Sequence, residues 1–383
     1  MADLNPKIQP IIKEILQIRR ELHKSPELAY KEHKTTRLIK NTLNGWGIEF
    51  YPFEHLETGG YCMVGDGKPF VAFRADIDGL PVTEDASHTI RSLNEGFMHA
   101  CGHDYHTALA LGLIKYLHNN SDRLNNTVVF LFQPAEEAAP GGAEQVIKES
   151  VWKKVRKIVG VHVAPDISVG KFVLVNGAVQ ASSTSLFIEI NAPGGHTSKP
   201  HETVDTIAVS SQYIVQLQKY IRHKNDPQET VVLVFGSIQG GGTHNIIPQK
   251  VTLRGTLRTL NNNILENTLE YIREFSNRFS SLYEADIRVS FPTNCPATIN
   301  DSILLKIFSE YMKKTGKGGD LILRTKSSLG ADDFAFYSKE VPGLYILLGA
   351  AGRGSLHSGN LELNEKVLHY ALEPLAEFLM ALQ

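Results

Sequence analysis

The chain has 383 residues, long enough for two domains, with 42% apolar residues, 21% charged residues and a formal net charge of -2. That balance is ordinary for a globular protein and excludes a strongly basic nucleic-acid binder or a protein drawn to anionic membranes. Three cysteines, Cys62, Cys101 and Cys295, argue against a disulfide scaffold and for a reducing compartment. No apolar run is long enough to span a bilayer, and the opening MADLNPKIQP lacks the basic-then-apolar pattern of a secretory signal. A cytoplasmic protein with no nucleic-acid or membrane partner is therefore expected.

In chain order, Ile11 to Leu22 has the apolar spacing of an amphipathic helix, stopped at Ser25-Pro26. Lys31 to Leu43 is a second helix, closed by Asn44-Gly45. Phe70-Val71-Ala72-Phe73 is a short apolar run of the buried-strand kind, ending at Arg74-Ala75-Asp76-Ile77-Asp78. Then comes Met98-His99-Ala100-Cys101-Gly102-His103-Asp104, which packs a thiol, imidazoles and a carboxylate into a few residues. It opens a run from Tyr105 to Ile114 with helical propensity and an apolar side. A thiolate near a helix N-terminus is stabilised by the dipole, and thiolate plus imidazole suits zinc and its neighbours. A buried cysteine beside helix-capping histidines fits the same residues.

The strand-then-polar arrangement recurs. Val128 to Phe132 ends in Gln133-Pro134-Ala135-Glu136-Glu137, Ile158 to Val161 ends in His162, and Leu344 to Leu348 leads through a glycine-rich loop to His357. Helical segments between several of these runs predict a largely parallel α/β sheet. Such sheets bind ligands beyond the carboxyl ends of their strands. Asp76, Asp78, Glu136, Glu137, His162 and His357 all fall there.

Ser182 to Thr293 reads differently. Leu186 to Ile190 is a strand, Val204 to Tyr220 a helix, Val231 to Ile238 and Lys250 to Leu257 a strand pair, Leu265 to Leu282 a helix and Asp286 to Phe291 a strand. This is the β-α-β-β-α-β order of a ferredoxin-like α+β domain. The expected organisation is a domain of residues 1–181 and 294–383 with 182–293 inserted into it. The first domain resumes with a helix near Ile303 to Lys313, and Lys366 to Leu382 is the last helix.

RRELHKSPEL, FRADIDGLPV, MHACGHDYH, FQPAEE, GGHTSKPH, GGGTHNIIP, RGTLRTL and LGADDFAFY occur in one order across nearly the whole chain. Together they resemble the M20 metallopeptidases, in particular the amidohydrolase branch of aminoacylases, hippurate hydrolases, N-acetyldiaminopimelate deacetylases and related carboxypeptidases. The resemblance implies a zinc-peptidase-like α/β catalytic domain carrying an inserted ferredoxin-like lid and dimerisation domain. It implies metal ligands at Cys101, His103, Glu137, His162 and His357, two divalent ions per subunit, with zinc favoured by the thiolate and manganese or cobalt as alternatives. It implies Glu136 as the base acting on metal-activated water, and Asp76 as a residue orienting a ligand. In the lid it implies substrate contacts from His196, Asn245 and Arg258, the latter two toward a carboxylate or carbonyl. Two departures stand out: Arg74 occupies the position of a ligand histidine found elsewhere in the family, and Ala331-Asp332 replaces the usual Ser-Glu.

The implied activity is hydrolysis of the amide bond of N-acyl amino acids or short peptides by a homodimer assembled through the inserted domain. N-acetyldiaminopimelate deacetylation is the narrower alternative, which Gly141-Gly142-Ala143-Glu144 after Pro134-Ala135-Glu136-Glu137 also fits. A non-catalytic metal- or peptide-binding protein on the same fold is the alternative from another class. Retention of an acid, Glu136, beside a ligand argues against that alternative. So does nothing else in the chain point to rival chemistry: Gly240 to Gly242 lacks the Gly-Lys-Ser/Thr of a phosphate loop, and there is no Gly-x-Ser-x-Gly elbow.

Overall fold

The structure is a computed structural model that describes residues 8–382. The chain divides into two compact units. One takes the residues up to Val179, Ile299–Lys326 and the residues from Asp333 on; the other takes Gln180–Thr298 and Ser327–Asp332.

The first unit is built on a seven-stranded sheet in the order Gly60–Val64, Thr127–Gln133, Phe70–Asp76, Val155–Ala164, Gly343–Gly349, Phe172–Val175, Leu321–Arg324. The four strands legible as apolar runs form its parallel centre, with Asp76 opposite Gln133 and His162 opposite Leu347. Thr127–Gln133 is buried along its whole length, as a strand covered on both faces must be. Successive side chains alternate between two cores: Val71 and Phe73 join one, Ala72 the other. The strands Gly60–Val64, Phe172–Val175 and Leu321–Arg324 lie toward the margins of the sheet and are absent from the sequence reading, although Phe172-Val173-Leu174-Val175 is as apolar as Phe70-Val71-Ala72-Phe73 and is buried throughout.

Helix His103–Asn119 packs on the strand Phe70–Asp76 and between the helices Gln9–Lys24 and Lys366–Ala381. The sequence predicts one apolar side for it. The structure buries it almost all round, including Asp104, His106 and Thr107, because helices flank it where a surface helix would meet water. Its start is forced by Gly102, at φ 83°, where an added Cβ would lie 2.4 Å from Cγ2 of Val163. Only glycine combines that left-handed backbone with so close an approach.

The second unit has a sheet in the order Asp286–Ser290, Ser183–Asn191, Lys250–Thr259, Val231–Gly240, all antiparallel. The helices Thr206–Lys224 and Asn262–Tyr283 close it over a core that includes Ile188, Tyr213, Leu253 and Ile272. Side-chain caps fix both helix starts, Asp205 accepting from the Ala208 N–H and Asn261 from Asn263 and Ile264.

Candidate metal centre

In the first unit the carboxyl ends of the parallel strands bring Cys101, His103, Glu136, Glu137, His162 and His357 together. Donor atoms of Cys101, His103 and His162 lie within 4.8 Å of one another, as do those of Cys101, Glu137 and His357. Cys101 belongs to both triads.

The His162 and His103 rings are each aimed by a hydrogen bond at the other nitrogen. Nδ1 of His162 is 2.8 Å from the Val163 carbonyl, leaving Nε2 3.3 Å from Sγ of Cys101. Nδ1 of His103 is 3.0 Å from the Asp78 carbonyl and 3.1 Å from Asp78 Oδ1. A donating Nδ1–H fixes the tautomer and frees Nε2 as a lone-pair donor. His357, at φ 64°, is held by its N–H on the Ala100 carbonyl, with Nε2 3.0 Å from Glu137 Oε1. Backbone in that region is costly for a residue with a Cβ and tends to mark functional positions. Ala135, just before Glu136, shares it at φ 54°.

These residues fit a divalent metal ion. His103 Nε2 is buried without a hydrogen-bond partner. Buried polar atoms are rarely left so unless something else is meant to meet them. Thiolate, imidazole and carboxylate are the donor types of zinc and neighbouring ions.

Burial and neighbouring charges set the protonation of these donors, and at Cys101 burial outweighs the thiolate stabilisation expected from the helix start. Burial pushes the Cys101 thiol well above its ordinary value, partly opposed by His103. Burial works against charge on His103, yet Asp76, with Asp78 and Cys101, holds its pKa well above the usual range. Burial also disfavours the Glu137 anion, but His357 and His103 keep its pKa low. His357 is raised by its contact with Glu137. Metal binding displaces such protons from thiol and imidazole.

The carboxylate that joins two ligand-bearing segments is Asp78. Its Oδ1 meets His103 and its Oδ2 accepts the Glu137 N–H at 3.0 Å. The sequence placed Asp78 at the strand end without assigning it this role. The signal available was its period-two spacing from Asp76 at the end of a buried strand. Asp76 Oδ1 is 2.6 Å from His106 Nδ1, and its Oδ2 accepts from Arg74 and lies 3.7 Å from His103 Nε2. Burial would raise the Asp76 pKa, but Arg74, His103 and His106 hold it well below the carboxylate range. Both nitrogens of His106 are used, Nε2 accepting the Val163 N–H at 3.0 Å, so His106 supports the site without reaching into it. His99 is buried, Nδ1 on the Asp78 carbonyl, and burial lowers its pKa to about 4. Arg353 is an exposed cation paired with Glu362.

In the second unit His196 and Asn245 are neighbours. Gly195–His196 pairs with Ile246–Ile247, and the Thr197 N–H donates to the Asn245 carbonyl. Nδ1 of His196 accepts the Ser198 N–H at 3.1 Å, which puts the proton of a neutral ring on Nε2. Arg258 stands apart on the strand Lys250–Thr259, its Nη1 donating to the Leu329 carbonyl at 2.8 Å.

A parallel α/β sheet with these donors at its carboxyl edge defines a metal-dependent hydrolase. The sequence profile of peptidase family M20/M25/M40 matches residues 72–381, and the chain belongs to that family. It is 34% identical to the N-acetyldiaminopimelate deacetylase of Bacillus cytotoxicus over 96% of this chain and 97% of that protein. It is 32% identical to the N-acetyldiaminopimelate deacetylase of Priestia megaterium over 95% and 97%. A dinuclear metal-binding M20 peptidase from Bacillus subtilis superposes with a TM-score of 0.85 at 31% identity, covering 97% of this chain and 98% of its own. The chain is a metal-dependent amidohydrolase with a small-molecule amide substrate. No helix among the described residues is long and apolar enough to cross a membrane.

Proposed function

We propose that this amidohydrolase cleaves N-acyl amino acids or short peptides, with Cys101, His103, Glu137, His162 and His357 holding two divalent ions. The observation that carries this reading is the pair of donor triads sharing Cys101 with Glu136 alongside, its Oε2 3.8 Å from His103 Nε2. Zinc suits the thiolate best, with manganese or cobalt as alternatives. Bound there, such ions supply a Lewis acid that polarises the scissile carbonyl and lowers the pKa of water.

Glu136 takes the proton of the attacking water on its carboxylate and returns it to the departing amine nitrogen. Asp78 keeps His103 and Glu137 in register, and Asp76 fixes His106 behind them. Residues 182–293 serve as lid and dimerisation domain. In the lid, the Nε2–H of His196 donates to the carbonyl oxygen as it gains charge, and Asn245 and Arg258 hold the substrate carboxylate or carbonyl. The dimer forms through the edge strand Val231–Gly240. That strand ends its sheet and exposes Val234 by 52% and Ile238 by 49%. An unpaired apolar edge suits antiparallel pairing with a second copy. The free thiols of Cys62, Cys101 and Cys295 suit the cytoplasm.

N-acetyldiaminopimelate is the narrower substrate reading, favoured by the named relatives. A panel of N-acetyldiaminopimelate, other N-acetyl and N-benzoyl amino acids and dipeptides, assayed with zinc and with chelator, tests both. Chelator-sensitive turnover of one class is expected; no turnover of any member by metal-loaded enzyme overturns the reading.

A further inference from the structure

The residues that hold the Glu136–Glu137 loop from behind form a buried polar cluster that the proposed chemistry leaves unused. The loop leaves its strand at Gln133 and re-enters regular structure at Ala143. Asp333, far along the chain, meets both ends. Its Oδ1 and Oδ2 accept from Gln133 Nε2 at 2.9 and 2.7 Å, and Oδ2 accepts the Ala143 N–H at 3.1 Å. Within the loop, the Gly142 N–H closes on the Ala135 carbonyl at 3.0 Å. At Gly141 the backbone runs against the carboxylate, since an added Cβ would lie 2.4 Å from Asp333 Oδ2.

The same carboxylate reaches the floor of the site through one cation. Arg74 donates from Nη2 to Asp333 Oδ1 at 2.7 Å, from Nε to Gln133 Oε1 at 2.9 Å and from Nη1 to Asp76 Oδ2. The Tyr337 hydroxyl donates to Gln133 Oε1 at 3.0 Å. Arg74 is 1% exposed, Gln133 0% and Asp333 5%, so the cluster is shielded from solvent. A planar guanidinium can join three acceptors in fixed directions, which a flexible ammonium cannot. Asp333 precedes the helix Phe334–Glu340, where an aspartate ordinarily caps, yet its side chain makes no capping bond there. Its carboxylate is directed at the loop.

We propose that Asp333 is a positioning residue for Glu136 and Glu137: it staples the two ends of their loop and, through Arg74, couples that loop to Asp76. The proposal rests on the reading of Glu137 as a ligand and Glu136 as the base. Both lie near the middle of a loop with a strained Ala135, so their places depend on how the ends are held. Groups that orient ligands cost about 10–100-fold in metal affinity or activity when removed.

The test is zinc titration of the metal-stripped enzyme, in wild type, Asp333→Asn, Gly141→Ala and Glu137→Gln. Asp333→Asn turns an acceptor toward a donor while leaving Arg74 paired with Asp76. Gly141→Ala displaces the carboxylate without changing charge, and keeps the test open if Asp333→Asn folds poorly. The expected result is one zinc step weakened about 10–100-fold in both variants, with kcat lowered and KM held after metal saturation. A merely structural role would lower the melting temperature and leave the zinc step alone. Wild-type zinc affinity in both staple variants, while Glu137→Gln weakens that step, overturns the proposal and leaves the ligand reading intact. Wild-type affinity in Glu137→Gln as well overturns the ligand reading, and the staple with it.

Discussion

Sγ of Cys101 lies 3.3 Å from Nε2 of His162, a sulfur and a nitrogen brought together from a helix start and a strand end. Their other contacts leave both facing the same point. Cys101→Ser is therefore expected to lower metal content and affinity, because a hydroxyl is a much poorer ligand than a thiolate. Elemental analysis of the purified variant, followed by zinc titration, decides this. Wild-type stoichiometry and affinity would mean that Cys101 is only a buried apolar residue.

Glu136→Gln is expected to keep the metal and the fold and to abolish turnover. A positioned general base contributes about 10²–10⁴-fold, and the amide retains the volume of the acid but not its basicity. The check is kcat on metal-replete protein of unchanged melting temperature. A near-normal kcat removes Glu136 from the role of base.

Mixed dimers test whether His196 serves the active site of the partner subunit. His196→Ala and Glu136→Gln are each expected to be nearly inactive, since one oxyanion donor is worth about 10²–10³ in kcat. If His196 acts across the dimer, co-refolding the two variants creates one site with both native residues, and activity returns. Heterodimers proven by mass that remain inactive exclude the action in trans.

His23 bridges Asp104 and Glu84, with 2.8 Å contacts to Asp104 Oδ2 and Glu84 Oε1. Burial opposes ionisation of Glu84, but His23, the Ser92 N–H and His88 bring its pKa from 4.5 down to about 2. A carboxylate whose folded pKa is depressed stabilises the fold above its unfolded value and loses that contribution as pH falls through the folded one. The window is therefore pH 4.5 to about 2. With the Glu84 side chain only 4% exposed, that shift is worth on the order of 3 kcal/mol. Urea unfolding of the metal-stripped protein should show wild type losing stability faster than Glu84→Gln across that window. Parallel curves for the two proteins would exclude the pairing as a source of acid lability.

Much of this architecture is legible in residue order. The runs Phe70 to Phe73, Val128 to Phe132, Ile158 to Val161 and Leu344 to Leu348 are apolar on both faces, and the structure makes them neighbouring strands of one sheet. The β-α-β-β-α-β order of the inserted segment follows from its alternating apolar residues, seen as Leu186, Ile188 and Ile190 buried in turn. Local pattern suffices there because each element is long and has one dominant environment. The placement of polar residues after strand ends also follows from order alone, since parallel strands share a carboxyl edge.

Only the tertiary structure decides the rest. Where Phe172–Val175 and Leu321–Arg324 sit in the sheet, the first antiparallel to Gly343–Gly349 and parallel to the second, is set by the partners they meet and not by their own apolar pattern. Which carboxylate aims which ring is likewise a matter of contact: Asp76 and Asp78 look alike in sequence, yet one is bonded to His106 and the other to His103 and Glu137. Asp333 lies 200 residues from Gln133 in the chain, and only the fold brings its carboxylate onto Gln133 and the Ala143 N–H. Residue types and periodicity determine which chemistry the chain can carry and which segments are buried. Hydrogen bonds act over about 3 Å between residues hundreds of positions apart, so the partners that aim that chemistry exist only once the chain has folded.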